Sequence, residues 1–318
     1  MTPKTPFSPR TPRPVSDAPA APAAPGGVTL GEVLRLLEPT PLTDPGAELS
    51  RWRGGVQRSP GDRLFGGLLL AQALVVAGRT ALGAQRVISL QADFVGGVPT
   101  DDDLVWEVAR VSDAASLSTR RSTLRAADGR ELFSATTRWA LTRADLPSHG
   151  ALRPRPAGDP ESLTDLSERF GADERIPAWW REERPVHFRP FATPPFLAEH
   201  VDPAAGGGQS VWIRATVPLP DDHLLRAGLV AYTTDMSIVE DAFRVLGSAR
   251  HEPGSRILSL THALAFHDQP DLSRWHQFDA RVEAVSHGRA LGTGEVFDAD
   301  GRHLVSVSQL GLVKTAAL

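Results

Sequence analysis

Residues 63–79 read RLFGGLLLAQALVVAGR. A charge and two glycines open the stretch, and the rest is apolar apart from Gln72 and the closing Arg79. The pattern predicts a helix over about residues 66–78 that is apolar nearly all round, and such a helix is buried on every side. It is too short to cross a bilayer, which takes roughly 20 apolar residues. It therefore needs a cover. The segments VISLQADFV, DLVWEVARVS, LSTRRSTLRA and ELFSATTRWALT that follow supply one. They alternate, favour β-branched and aromatic residues, and are punctuated by GGVPTDD and ADGR, as strands joined by turns do. One long helix and an antiparallel sheet curved around it make an α+β module.

The module occurs twice. Residues 128–141, DGRELFSATTRWAL, match residues 300–313, DGRHLVSVSQLGLV, at an offset of 172. ARV at 109–111 matches ARV at 280–282, and SL at 89–90 matches SL at 259–260, at offsets of 171 and 170. Matches in one order with a drifting offset predict a duplicated unit. The second copy reads as a helix, TTDMSIVEDAFRVLG, with Gly247 as its C-cap, and the strands SVWIRATVPL, RILSLTHALAFH, QFDARVEAVS, ALGTGEVF and HLVSVSQLGLV. Two such modules can join edge to edge into one sheet, which removes an exposed edge from each. The expected organisation is a disordered Pro/Ala-rich tail over residues 1–27, a first module over 28–143, a linker over 144–185 and a second module over 186–318. The linker is rich in proline and charge, with one short helix expected at 161–170. Trp179 and Trp180 either pin it to the body or border an acyl tunnel.

Composition narrows the chemistry. The 318 residues carry a net charge of −4, which gives no electrostatic reason to expect nucleic acid as a partner. With no cysteine there is no thiolate nucleophile and no cysteine-ligated zinc. The two lysines, Lys4 and Lys314, lie near the ends, which argues against a Schiff-base or phosphate-loop lysine. Neither HExxH nor GxSxG is found. No metal and no cofactor is expected. The tail lacks the apolar centre of a secretory signal, so a cytoplasmic protein is the expectation.

Aligning the two helices on Gly78 and Gly247 sets Gly66 opposite Asp235 and Gly67 opposite Met236. One copy then begins its helix with glycines and the other with a carboxylate. Asp235 there is either an N-cap or an acid held in a site. Gly66 and Gly67 either allow close packing or let a ligand oxygen approach the helix start. Alternation places Ser259 on a face with Ile257, Thr261 and Ala263, and sets His262 on the opposite face. It places Gln309 in a row with Val305, Val307 and Val313. A buried amide needs partners, and an Asp, a Ser and a Gln from three elements can satisfy one another or hold a water.

The layout resembles the acyl-CoA thioesterase II family, a double hotdog. The resemblance is carried by RLFGGLLLAQAL, ISLQADFVGG, VSDAASLSTRR, AYTTDMS, LAFHDQPDL and VSVSQLGLV, and it covers nearly everything after residue 28. It implies hydrolysis of an acyl-CoA or related acyl thioester, with Asp235, Ser259 and Gln309 holding the water. The sequence departs from the family pattern at Gln91, at SDAAS (112–116) and at Thr261. Gly66 and Gly67 are expected to receive the thioester oxygen. Met236 and Tyr232 are expected to line the pocket, and His267 to stand at its entrance. At the start of a helix Asp235 would have a lowered pKa and be a poor base, so positioning would outweigh proton abstraction. Face-to-face pairing of such sheets implies a homo-oligomer. Two other readings remain open at this level. One is a non-hydrolytic acyl-thioester-binding or tailoring-pathway protein. The other is a hotdog hydratase or dehydratase, against which DMSIVE lacks the expected proline and histidine.

Overall fold

The computed structural model describes residues 27–57, 63–100, 104–150, 152–176, 178–194 and 208–315. The tail, except for Gly27, and the side chain of Trp179 lie outside the described residues. The first half contains α1 (Leu30–Leu36), β1 (Thr40–Pro41), β2 (Leu49–Gly54), α2 (Gly66–Gly78), β3 (Gln85–Phe94), β4 (Leu104–Asp113), β5 (Leu117–Arg125) and β6 (Glu131–Leu141). The connection carries a 3-10 turn (Pro160–Ser162), α3 (Leu166–Phe170) and α4 (Ala178–Arg181). The second half contains β7 (Val186–Pro190), β8 (Gly208–Ala215), α5 (His223–Thr234), α6 (Asp241–Val245), β9 (Arg256–Phe266), β10 (His276–Ser286), β11 (Arg289–Asp298) and β12 (His303–Lys314).

The twelve strands among the described residues form one antiparallel sheet, ordered β1-β2-β4-β5-β6-β3-β9-β12-β11-β10-β8-β7. The two halves meet where β3 pairs with β9, from Ser89↔Ala265 to Asp93↔Thr261, centred on Gln91↔Ala263. Gln91 and Ala263 are themselves 172 residues apart, so a local two-fold relation between the halves passes through this pair. Bulges repeat at the same spacing. Ile88 is skipped where β3 meets β6 and Leu260 where β9 meets β12. Val111 is skipped in β4 and Glu283 in β10. The duplication is thus written in the bends of the sheet, and a bulge bends and twists its strand. The SL match at an offset of 170 is not a structural correspondence, because the bulged residues Ile88 and Leu260 set the register.

The apolar helix behaves as its pattern requires. Every α2 residue from Gly67 to Ala77 is buried. Gln72 is the exception that ties the cover down. Its amide donates to Leu36 O (3.0 Å) and Gly55 O (2.8 Å) and accepts from Trp106 Nε1 (3.0 Å). The segments before and after β2, and β4 itself, are thereby fixed to the helix.

The second helix differs from the expectation. The counterpart of α2 is α5, which begins ten residues before the stretch TTDMSIVEDAFRVLG read as the helix. Asp222 caps it, accepting from Leu224 N at 2.7 Å. The helix closes at Thr234, with Asp235 as its C-cap residue (φ −79°, ψ −8°). Alignment on Gly78 and Gly247 was misleading because six residues separate α2 from β3 whereas twenty-one separate α5 from β9. The extra segment forms a turn over 235–240 and α6, and Gly247 (φ 65°) lies beyond α6. The helices α2 and α5 pack antiparallel, with Gly67 against the Tyr232 carbonyl at one end and Gly78 against Leu224 at the other. The C-terminal end of α5 therefore meets the N-terminal end of α2.

The connection is anchored to the body. Buried Asp165 accepts from Arg184 Nη2 (2.7 Å), Phe188 N (2.8 Å) and Ser167 N (3.0 Å). Trp180 is fully buried against Phe188, with ring centroids 4.7 Å apart.

Candidate active site

Three side chains converge at the end of α5. Asp235 stands there because α5 stops at Thr234. Ser259 faces inward from β9 and Gln309 from β12. Gln309 Nε2 donates to Asp235 Oδ1 (2.7 Å) and to Ser259 Oγ (2.6 Å), and Ser259 Oγ donates to Asp235 Oδ1 (3.2 Å). The Gly67 N–H at the start of α2 also points at this carboxylate. Gly66 lies so close that a Cβ on it would fall 2.6 Å from Asp235 Oδ2. Only a residue without a side chain permits that approach.

The electrostatics follow from depth. Burial pushes the Asp235 carboxyl up to about 7, while the donors Gln309, Ser259 and Gly67 pull it partly back. This reverses the low value anticipated from a helix start. The acid sits at the carbonyl end of α5, away from water, and desolvation of the charged form is the larger effect. A carboxyl titrating near neutrality is suited to accept a proton.

The three side chains open on a cavity of about 1200 Å³. Gly66, Tyr232 and Met236 line it with Asp235, Ser259 and Gln309. Tyr232 donates to Gln57 Oε1 (3.1 Å) and meets Phe65 edge-on at 4.9 Å, and its burial raises the phenol's pKa. His267 is not among the lining residues. It lies just beyond the far end of β9, bonded to Ser306 Oγ (2.9 Å) and 4.6 Å from the His303 ring.

His262 is the residue that alternation misplaced. The bulge at Leu260 shifts the phase of β9, so that Ser259 and His262 face the same side. His262 is fully buried, its Nδ1 is 3.7 Å from Asp235 Oδ1 and its Nε2 is 3.3 Å from Thr234 Oγ1. Burial drives the ring's pKa down to about 3, so it is neutral at physiological pH. The signal was present in the strand: inward-facing Ile257 and Leu264 are an odd number of residues apart, which strict alternation forbids. Gln57 was also missed, and no local pattern singles it out.

The positions where the sequence departs from the family pattern lie elsewhere. Gln91 and Thr261 are exposed. Within SDAAS, Asp113 accepts from buried Arg120 Nη2 at 2.6 Å.

Comparison with known proteins points one way. The family model described as acyl-CoA thioesterase N-terminal domain matches residues 56–140, and that of the acyl-CoA thioesterase C-terminal domain matches 155–313. Acyl-CoA thioesterase 2 of Haemophilus influenzae is 23% identical over 279 residues, covering 83% of this chain and 92% of the relative. Human acyl-coenzyme A thioesterase 8 is 24% identical over 300 residues, covering 89% and 91%. Among solved structures, a tesB protein of Mycobacterium avium subs paratuberculosis superposes with a TM-score of 0.73 at 24% identity, over 90% of this chain and all of that one. The acyl-CoA thioesterase II TesB2 of Mycobacterium marinum gives a TM-score of 0.67 at 25% identity, over 90% and 99%.

Proposed function

The chain belongs to the acyl-CoA thioesterase family and is a thioesterase of double hotdog fold, and from that premise we propose that it hydrolyses acyl-CoA, or a related acyl thioester, by direct attack of a water held by Asp235, Ser259 and Gln309. The observation that carries this reading is a buried carboxyl titrating near 7, bonded to an amide and a hydroxyl, at the wall of a large cavity.

In the proposed reaction ionised Asp235 takes a proton from the water as its oxygen attacks the thioester carbon. The carbonyl oxygen becomes anionic. When the C–S bond breaks, the electron pair leaves on sulfur and the proton passes from Asp235 to the thiolate. The products are the free acid and the thiol, and no acyl-enzyme forms. Gln309 and Ser259 fix the carboxylate and aim the water. The first turn of α2 supplies donors for the anionic oxygen. Among the described residues no side chain caps α2, and Gly66 lines the cavity. With the Gly67 N–H turned to Asp235, Gly66 is the donor we assign to the oxygen. One such donor contributes about 3–4 kcal/mol to catalysis. The proposed site is thus assembled from both halves of the chain.

Free thiol release from a series of acyl-CoAs, followed with the wild type and with Asp235→Asn, tests the reading. Thiol release by the wild type and a deep loss in the variant are expected. Equal rates in both would remove Asp235 from the reaction.

A further inference from the structure

We infer that His262 is a positioning residue, whose neutral ring donates from Nδ1 to Gln309 Oε1 and so keeps the amide turned with its NH2 group toward Asp235. The inference rests on the hydrolytic reading for its catalytic consequence, and on geometry alone for the orientation.

His262 and Gln309 are directly opposite each other on β9 and β12. Side chains so paired on one face have Cβ atoms about 4.5–5.5 Å apart. Gln309 spends its NH2 on Asp235 and Ser259. Its Oε1 is buried without a hydrogen-bond partner among the described residues, and so is Nδ1 of His262. The amide acts on the ring as an acceptor, although the two groups are not in strict hydrogen-bond geometry. Two complementary orphans thus sit on directly opposed residues of one strand pair.

The tautomer follows from what surrounds the ring. Nδ1 lies 3.7 Å from Asp235 Oδ1, and Gln309 Oε1 is the second acceptor that we place beside it. A lone pair on Nδ1 would meet only acceptors there, and each buried polar atom left unpaired costs about 1–3 kcal/mol. A proton on Nδ1 gives Oε1 its donor. Nε2 is then the acceptor for the Thr234 hydroxyl, 3.3 Å away, which otherwise turns to Ala231 O at the same distance. The flip of the amide is decided in the same way. Reversed, Gln309 would set its oxygen against the Asp235 carboxylate and lose both donor bonds. With burial keeping the imidazole uncharged, it does not compete as a base.

The variants His262→Phe and His262→Asn separate orientation from packing, since Asn can place an N–H near the position of Nδ1. His262→Phe is expected to lower kcat roughly 10- to 100-fold, as loss of alignment does, with KM within about twofold. His262→Asn is expected to recover most of the loss. On a Gln309→Ala background, His262→Phe is expected to add no more than about twofold, because the two residues act as one unit. A full additional loss on that background, or Asn no better than Phe, overturns the inference. Should the Phe variant not fold, nitrogen NMR of the histidine-labelled wild-type chain at neutral pH decides. A neutral ring protonated at Nδ1 is expected, and protonation at Nε2 overturns it. A wild type that releases no thiol from any acyl-CoA would sink the hydrolytic reading and leave the NMR result standing on its own.

Discussion

Arg120 fills, in the first half of the molecule, the place that Gly292 leaves open in the second. The two are equivalent in the sheet: Arg120 lies opposite Arg110 on β4, and Gly292 opposite Val282 on β10, each beside its bulge. The Arg120 guanidinium is fully buried and donates to the carbonyls of Thr80 (2.8 Å), Ser112 (3.1 Å) and Thr119 (3.0 Å). At Gly292 the space belongs to the turn after α5, where a Cβ would fall 2.6 Å from Ile238 O. The same exchange holds for the polar set. The counterparts of Ser259 and Gln309 in the first half are Val87 and Thr137, and Thr137 Oγ1 accepts from Trp139 Nε1 at 2.9 Å.

Gly292→Ala is therefore expected to push the 235–240 turn outward. Overpacking of this kind typically costs about 1–3 kcal/mol. Chemical denaturation should show that loss, and kcat should fall with it because Asp235 begins the displaced turn.

Asp235→Asn removes the proposed base while leaving the size of the side chain unchanged. Loss of a positioned general base typically costs about 100- to 10,000-fold in rate. That range is expected in kcat from thiol release, with the far-ultraviolet circular dichroism spectrum unaltered.

The raised pKa of Asp235 fixes two signs. In the proposed reaction the ionised form is the active one, so kcat should rise with pH through about 7 and level off above it. Stability should move the other way. The folded chain holds this proton up to about pH 7, whereas the unfolded chain releases it near about 3.9. Between those values the folded state binds more protons, and stability falls as pH rises. Asp235→Asn abolishes this contribution. The urea midpoint of the wild type relative to the Asn variant should drop between pH 5 and pH 8.

Gly66→Ala would thrust a methyl group to within 2.6 Å of Asp235 Oδ2 and 2.9 Å of the Phe94 ring. It is expected to cost at least about tenfold in kcat by shifting the reacting groups. A kinetic comparison with wild type on one acyl-CoA checks this.

Gln72→Leu tests the fold apart from the site. It leaves Leu36 O, Gly55 O and Trp106 Nε1 without their partner. Each unmet buried group costs about 1–3 kcal/mol, so denaturation should reveal a loss of several kcal/mol, with activity per folded molecule little changed.

Much of this architecture was legible in the sequence because burial leaves a periodic mark. The all-round apolar pattern of residues 66–78 named α2, and the repeated DGR turns revealed the duplication. What escaped was phase and position. Alternation cannot register the extra residue at Leu260, so it sets His262 on the wrong face. A glycine that ends one helix need not end its counterpart, so alignment on Gly247 puts at a helix start an Asp235 that lies just past a helix end. Its titration near neutrality depends on depth and on neighbours contributed by Gly67, Ser259 and Gln309, which lie far apart in the chain.

The seam between β3 and β9 has a mechanical consequence. Five registered pairs, from Ser89↔Ala265 to Asp93↔Thr261, carry the sheet across it without a break. A hinge needs a few residues that absorb large backbone rotations, and a continuous ladder supplies none. The spacing between the end of α5 and the start of α2 is therefore held by the sheet, and in the proposed reaction substrate admission falls to the side chains and turns around the cavity rather than to the two halves swinging apart.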